Sequence, residues 1–469
     1  MGNQHHCHQD HISESLNPGY HDKMHLPYIV SETLPGPKVA ALIDRDKQYL
    51  SPSYTRGYPL AIDYGYGAMV VDGDRNRFLD FCAGIAVCST GHSHPEVVSA
   101  IHQQAAKFLH MSGTDFYYSP MADLAMALAH SMPGHAENKV FFANSGAEAN
   151  EAALKLARHA TGRQYFVSFF RSFHGRTYGA MSVSASKTIQ KKSFSPLLPG
   201  VLHAHYPYPY RDIFKTSSPE DCATACLDYI ENTLFKHVIS PHEVAAFIVE
   251  PVQGEGGYII PPDCFLPRLQ KLAHHYGILI ISDEVQAGMG RTGKIWASSH
   301  FAGYEPDILT SAKGLASGLP LGACIAKSSV MHWEPGMHAT TFGGNPVACA
   351  ASLKTLELLQ AGLLDNAHHQ GVYLKNKLTG LMHEFDCVGD VRGLGLMIGV
   401  ELVKSKACKT KNSALRDWLV DRAFYKGLLI LGCGENSIRI SPPLVINKEQ
   451  SDCAVAIIRE LIQEYLSCH

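Results

Sequence analysis

The strongest pattern in the chain is an alternation of short, continuous apolar runs with segments of helical period, which sets in near residue 120. PMADLAMALAHSM spaces its apolar residues as a helix does. KVFFANSG (139–146) reads as a strand and turn, and AEANEAALKLARHATG (147–162) as a helix stopped by glycine. QYFVSFFRSFHG is a strand with a polar exit, and AAFIVEPVQGEGG (245–257) is another. CFLPRLQKLAHHYG (264–277) is a helix with a glycine stop, ILIISDEVQAG (278–288) a strand and turn, and LGACIAK (321–327) a further strand. The alternation predicts an α/β fold. Strands that are apolar on both faces predict a mostly parallel central sheet covered on both sides.

The flanks keep a different rhythm. GAMVVDGDRNRFLDFCAGIAV (67–87) predicts two strands joined by a tight turn, and HPEVVSAIHQQAAKFLH (94–110) a helix with proline near its start. Beyond residue 346, the helix PVACAASLKTLELLQ is followed by CVGDVRGLGLMIGVELV (387–403), which contains a strand. GLLILGCGENSIRISPPLVI (427–446) looks like two more, and DCAVAIIRELIQEYL is a closing helix. This predicts a smaller α+β domain. The expected divisions are a poorly ordered tail over 1–34, a segment over 35–90 that packs with the small domain, a large domain over 91–345, and the small domain over 346–469.

Composition narrows the picture mainly by exclusion. A chain of 469 residues can bury more than one core. With a net charge of −3 it has no excess of cations for phosphate backbones, so no nucleic-acid partner is expected. No run of about 20 apolar residues is seen, so no membrane span is expected. The thirteen cysteines are scattered without a CxxC, and the N-terminus is polar rather than a secretory leader. Both point to a reducing cytoplasm. His5, His6, Cys7, His8, His11, His21 and His25 crowd the start. Their spacing fits no closed zinc pattern, so a tail without metal is expected.

Ligands of parallel sheets gather beyond the carboxyl ends of the strands. Asn144, Glu250, Asp283 and Lys313 each fall at or just past an apolar run. Lys313 stands in DILTSAKGLASGLPLG (307–322), among the smallest residues of the chain. It is either a solvated loop lysine or a buried amine that something flat approaches. Burial would lower its pKa from about 10.4 and free the amine as a nucleophile. Asp283 follows LIIS and needs a partner, either a structural cation or a protonated ring nitrogen, which would make that ring an electron sink. Gln286 could bond a ring oxygen or simply backbone.

Ser145, Gly146 and Ala147 mark a strand-to-helix turn. Its unpaired amides favour an anion such as phosphate, with an ordinary helix cap as the alternative. The stretch matches neither the dinucleotide fingerprint nor the phosphate loop of NTPases. SFHGRT (172–177) adds Phe173, for ring stacking or for the core, and the cationic candidates His174 and Arg176. Glu250 and Glu255 lie in VEPVQGEGG, and Arg439 in NSIRISPP. An arginine suits a substrate carboxylate, and a glutamate beside it could hold it when the substrate is absent; structural pairs or surface charges are the alternative.

In combination and order, these segments resemble the class III pyridoxal-phosphate aminotransferases of fold type I. The likeness runs through SGAEAN (145–150), FHGRT (173–177), EPVQGEGG (250–257), ISDEVQAGMGRTG (281–293), LTSAKGLASGLPLGA (309–323), TFGGNP (341–346) and VRGLGLMIGVEL (391–402). It implies pyridoxal 5'-phosphate as cofactor, with Lys313 as its covalent anchor and proton shuttle. It further implies Asp283 on the pyridine nitrogen, Gln286 on the 3′-oxygen, Phe173 on the ring face, and the backbone of Ser145, Gly146 and Ala147 on the phosphate. Thr341 would complete the phosphate site from a neighbouring subunit, which implies a homodimer with shared sites. Arg439 would hold an α-carboxylate with Glu255 as its switchable partner. Arg176 resembles the arginine with which 4-aminobutyrate-using relatives bind a distal carboxylate. The expected reaction is therefore transfer from an ω-amino acid to 2-oxoglutarate, with small amino and keto acids as substrates. Ornithine and acetylornithine donors are served by nearly the same core. GPKVAALIDRDKQYLSPSYTRGYP (36–59) resembles a subgroup that includes amino-acid racemases and epimerases, in which the proton returns to the substrate carbon from the opposite face.

Overall fold

The computed structural model describes residues 25–468. The histidines and cysteine at positions 5–21 lie outside these residues. Part of the expected tail is docked on the body: Tyr28 exchanges backbone hydrogen bonds of 3.0 and 2.9 Å with Arg77. Val30 and Ser31 donate their amides to Asn76 Oδ1 at 2.8 and 2.9 Å.

Seven strands form the central sheet: β1 (Asn138–Ala143), β2 (Tyr165–Phe169), β3 (Val201–Ala204), β4 (Val244–Val249), β5 (Leu279–Asp283), β6 (Ile308–Ser311) and β7 (Gly322–Lys327). Their spatial order is β1-β7-β6-β5-β4-β2-β3. β7 is antiparallel to both its neighbours, β1 and β6, and the other pairings are parallel. The sequence VAAFIV explains why β4 runs near the middle. All its side chains are buried, Ala246 and Ile248 under the helix Gly146–Thr161, Phe247 and Val249 toward the helix Phe265–His275. A strand apolar at every position fits only between two covered faces. The helix Gly146–Thr161 ends where Gly162 turns left-handed, at φ 68°.

The early hairpin, Met69–Asp72 with Arg77–Asp80, is joined to the end of the chain. Leu79 pairs in parallel with Leu428, so a four-stranded sheet spans both segments. A second antiparallel sheet carries Val388–Leu394, Met397–Leu402, Ser437–Ile440 and Leu431–Cys433 in that order. The single strand expected in 387–403 is thus a hairpin. Gly395, at φ 52°, makes the turn, and a Cβ there would lie 2.4 Å from the carbonyl carbon of Thr292. Residues 393–400 include no charged side chain, so the sequence shows no polar break at that reversal.

The helices Pro346–Leu358 and Leu364–Glu384 are continuous through a wide turn at Leu359–Leu363. This stretch is long and apolar enough to cross a membrane by composition. Here it buries Ala348, Cys349, Ala351 and Leu356 against the helices Pro95–Ala105 and Ser119–Ser131. Every described cysteine is a free thiol.

Candidate active site

The carboxyl ends of β4, β5 and β6 and the start of the helix after β1 converge on one place. Lys313 lies two residues past β6 and opens the short 3₁₀ turn Lys313–Ala316. Its φ of 44° is left-handed, a conformation that costs a non-glycine residue of order 1 kcal/mol and is kept only where the surroundings impose it. Gly314 lets this turn press on Ser89, whose Oγ a Cβ would meet at 2.5 Å. Burial first, and then the charge of Arg439, push the Lys313 amine down to about 8 against the pull of Asp283, Glu250 and Glu255. Among the described residues no carboxylate pairs with its Nζ.

Asp283 ends β5 and is buried. Its Oδ2 accepts from His174 Nδ1 at 2.7 Å and from Asn150 Nδ2 at 2.8 Å, and its Oδ1 from the Val285 amide at 3.0 Å. Asn150 is itself fixed by donating to the His174 carbonyl at 2.7 Å and accepting from Thr310 Oγ1 at 2.7 Å. This network gives both oxygens of the buried carboxylate hydrogen-bond partners and fixes it at the carboxyl end of β5. Gln286 is buried with its Oε1 unpartnered. A Cβ on Gly254 would stand 2.4 Å from Gln286 Nε2, so that loop packs directly on the amide.

Ser145 caps the helix, its Oγ accepting from the Glu148 amide at 3.2 Å. That leaves the first-turn amides of Gly146 and Ala147, which no intrahelical carbonyl can reach. Gly146 packs against Val285, where a Cβ would lie 2.7 Å from Cγ1. Phe173 is held by Glu250, whose Oε2 accepts the Phe173 amide at 3.1 Å while Oε1 accepts Gly254 at 3.1 Å. Burial raises the Glu250 carboxyl above its ordinary range. The guanidinium of Arg176 lies 5.7 Å from the centre of the Phe173 ring, and the residue is exposed.

Arg439, on Ser437–Ile440, donates from Nη1 to Glu255 Oε2 at 3.1 Å, and its buried Nε has no partner. Glu255 Oε1 also receives Lys187 Nζ at 2.6 Å. The structure therefore brings together Lys313, Asp283, Gln286, Glu255, Arg439 and the turn at 145–147, with Phe173 and Arg176 on the adjoining loop. Thr341 is exposed, next to Thr340, whose Oγ1 accepts from Asn144 Nδ2 at 3.3 Å beside the 145–147 turn. The sequence reading gave no role to Asn150 or Lys187. Asn150 was legible only as part of SGAEAN, and Lys187 lies in no motif; its partner is 68 residues away.

The model of the aminotransferase class-III family matches residues 51–462. The chain belongs to the class III aminotransferases. It is 38% identical to an alanine/serine racemase of Pyrococcus horikoshii over 452 residues, 95% of this chain and 94% of that one. An acetylornithine aminotransferase of Methanothermobacter thermautotrophicus is 41% identical, over 90% of this chain and 98% of its own. A 4-aminobutyrate aminotransferase of Mycobacterium tuberculosis is 37% identical, over 91% and 97%. The solved structure of a thermostable (S)-enantioselective omega-transaminase from Thermomicrobium roseum superposes with a TM-score of 0.84 at 32% identity, covering 91% of this chain and 98% of that one. This class III aminotransferase is a pyridoxal-phosphate-dependent enzyme with the α/β architecture of fold type I. Its residues fit that cofactor: a buried carboxylate fixed at a strand end, an unpartnered amide oxygen on Gln286, two helix-start amides beyond the reach of intrahelical carbonyls, and glycines where a Cβ would intrude.

Proposed function

We propose that the enzyme moves an amino group from an ω-amino acid such as 4-aminobutyrate to 2-oxoglutarate. The observation that carries this reading is the Arg439–Glu255 pair at 3.1 Å, within the electrostatic reach of Lys313. An ω-amino donor has no carboxylate on its reacting carbon, so a bare arginine there would be a buried unpaired charge. Glu255 masks it. The acceptor does carry an α-carboxylate, which can displace Glu255 and take Arg439 bidentately. Arg176, exposed and without a carboxylate partner among the described residues, would take the distal carboxylate that both substrates share.

When bound, pyridoxal phosphate supplies an aldehyde carbon and a ring that accepts electrons. Asp283 would hold its ring nitrogen, Gln286 its ring oxygen, Phe173 one face, and the amides of Gly146 and Ala147, with Ser145 as cap, its phosphate. Thr341 would reach the phosphate of a partner subunit, in a homodimer working in the cytoplasm. Lys313, with its pKa near 8, would take the proton from the substrate carbon that bears the amine and return it elsewhere.

A second reading, racemisation, is favoured by the racemase relative, whose match extends over 95% of the chain. A panel of donors with 2-oxoglutarate, followed by chiral analysis without any acceptor, separates the two. Glutamate formed from 4-aminobutyrate is the expected result. D-amino acid formed from an L-amino acid with no acceptor present overturns it.

A further inference from the structure

We infer that Lys187 is a specificity-determining partner of Glu255, one that receives this carboxylate when a dicarboxylate acceptor takes Arg439. The inference rests on the masking role of Glu255 proposed above. Glu255 stands between two cations, with Oε1 on Lys187 Nζ at 2.6 Å and Oε2 on Arg439 Nη1 at 3.1 Å. The cations differ in depth: the Lys187 side chain is 41% exposed and that of Arg439 only 10%. Glu255 thus has an inner partner in the site and an outer partner facing solvent.

The backbone on both sides is fixed. The Glu255 carbonyl accepts the Gly434 amide at 2.7 Å. The segment leading to Lys187 is tied to the loop of Phe173 by Arg171 N to Ala185 O at 3.0 Å and Ala185 N to Ser172 O at 2.8 Å. Exchange at Arg439 therefore needs only the Glu255 side chain to move. A half-buried carboxylate that lost its sole cation would resist leaving. Here one oxygen keeps its ion pair throughout, so the displacement by substrate is easier. In the donor half-reaction Glu255 stays on Arg439, and Lys187 makes no difference to a substrate that never competes for the arginine. Because Lys187 is partly exposed and screened, the effect is modest, about two- to fivefold in apparent affinity.

The test is steady-state kinetics of the holoenzyme with Lys187→Met and Lys187→Arg. Lys187→Met should raise the KM for 2-oxoglutarate about two- to fivefold, with kcat and the KM for 4-aminobutyrate unchanged. Inhibition by glutarate, a five-carbon dicarboxylate that cannot be aminated, should weaken by the same factor, and Lys187→Arg should restore both. Unchanged acceptor KM and unchanged glutarate inhibition would overturn the role of Lys187 and leave the reading of the site intact. A matching rise in the KM of donor and acceptor would instead sink that reading, because the donor would then also compete for Arg439. If 4-aminobutyrate does not react, the reading fails first, and glutarate inhibition alone still decides for or against Lys187.

Discussion

At the scale of single residues the site is a problem of charge. Lys313 titrates near 8 in the fold against an ordinary 10.5, chiefly because it is buried. Between those values the unfolded chain holds a proton that the folded chain does not, so stability of the cofactor-free protein rises with pH there. The gain between pH 8 and pH 10 is about 2 kcal/mol. Urea unfolding at the two pH values should show it in the wild type and not in Lys313→Met; parallel behaviour of the two proteins would refute the burial argument. Lys313→Ala should also abolish covalent retention of the cofactor. Borohydride reduction followed by peptide mass measurement would then find no adduct, whereas the wild type carries one on the peptide of Lys313. The proposed role of Asp283, holding a ring nitrogen, depends on its being a carboxylate. Asp283→Asn keeps the shape of the network but not the anion, and should lower kcat by about 10²–10³-fold. A smaller loss, under about tenfold, would mean that the carboxylate serves the His174–Asn150 network rather than the reaction.

At the scale of elements, the site depends on how closely strand ends and helix starts approach. Gly146 begins its helix against Val285, and a methyl there would sit 2.7 Å from Cγ1. Gly146→Ala should cost about 1–3 kcal/mol of stability through overpacking and displace the amides proposed to hold the phosphate. Adding Val285→Ala should recover part of that loss; a double-mutant cycle with no coupling would show that the two do not press on each other. The same scale explains what the sequence disclosed. Lys313 and Asp283 could be picked out because each closes an apolar strand, and strand ends face ligands in such sheets. The helix Gly146–Thr161 was legible from its period and its glycine stop. β3 and the helix Pro219–Asp228 were not, since neither carries a motif and the strand is only four residues long. The hairpin at Gly395 was hidden because no charged residue interrupts positions 393–400, where the chain reverses. Asn150 and Lys187 escaped because their importance lies in partners 133 and 68 residues distant, Asp283 and Glu255. Local spacing carries no record of such contacts.

At the scale of the whole molecule, one surface is conspicuous. Leu109, Met111, Phe116, Tyr117 and Phe342 are exposed apolar residues. Their two loops are locked together by Tyr118 Oη on the Gly344 carbonyl at 2.8 Å and Asn345 Nδ2 on the Leu109 carbonyl at 3.0 Å. An apolar patch on ordered loops marks an interaction surface. Thr341 stands in it, next to exposed Phe342. A second copy of the chain docking there would carry Thr341 to its partner's phosphate site. Loss of a hydroxyl bonded to a charged group costs about 1.5–3 kcal/mol, so Thr341→Ala should weaken cofactor binding about ten- to a hundredfold. Lys313→Ala subunits should be inactive by themselves. In the proposed dimer the two defects would lie on different chains of each shared site. In a mixed dimer, one site combines the intact Lys313 of the Thr341→Ala subunit with the intact Thr341 of the Lys313→Ala subunit. Co-expressed, differently tagged subunits purified through both tags should therefore show wild-type cofactor affinity at half the wild-type activity per dimer. If Thr341 served its own chain, the mixed dimer would keep the weakened affinity of the Thr341→Ala protein at its only active site. If no mixed species could be isolated and sedimentation gave a monomer, the shared site itself would be refuted.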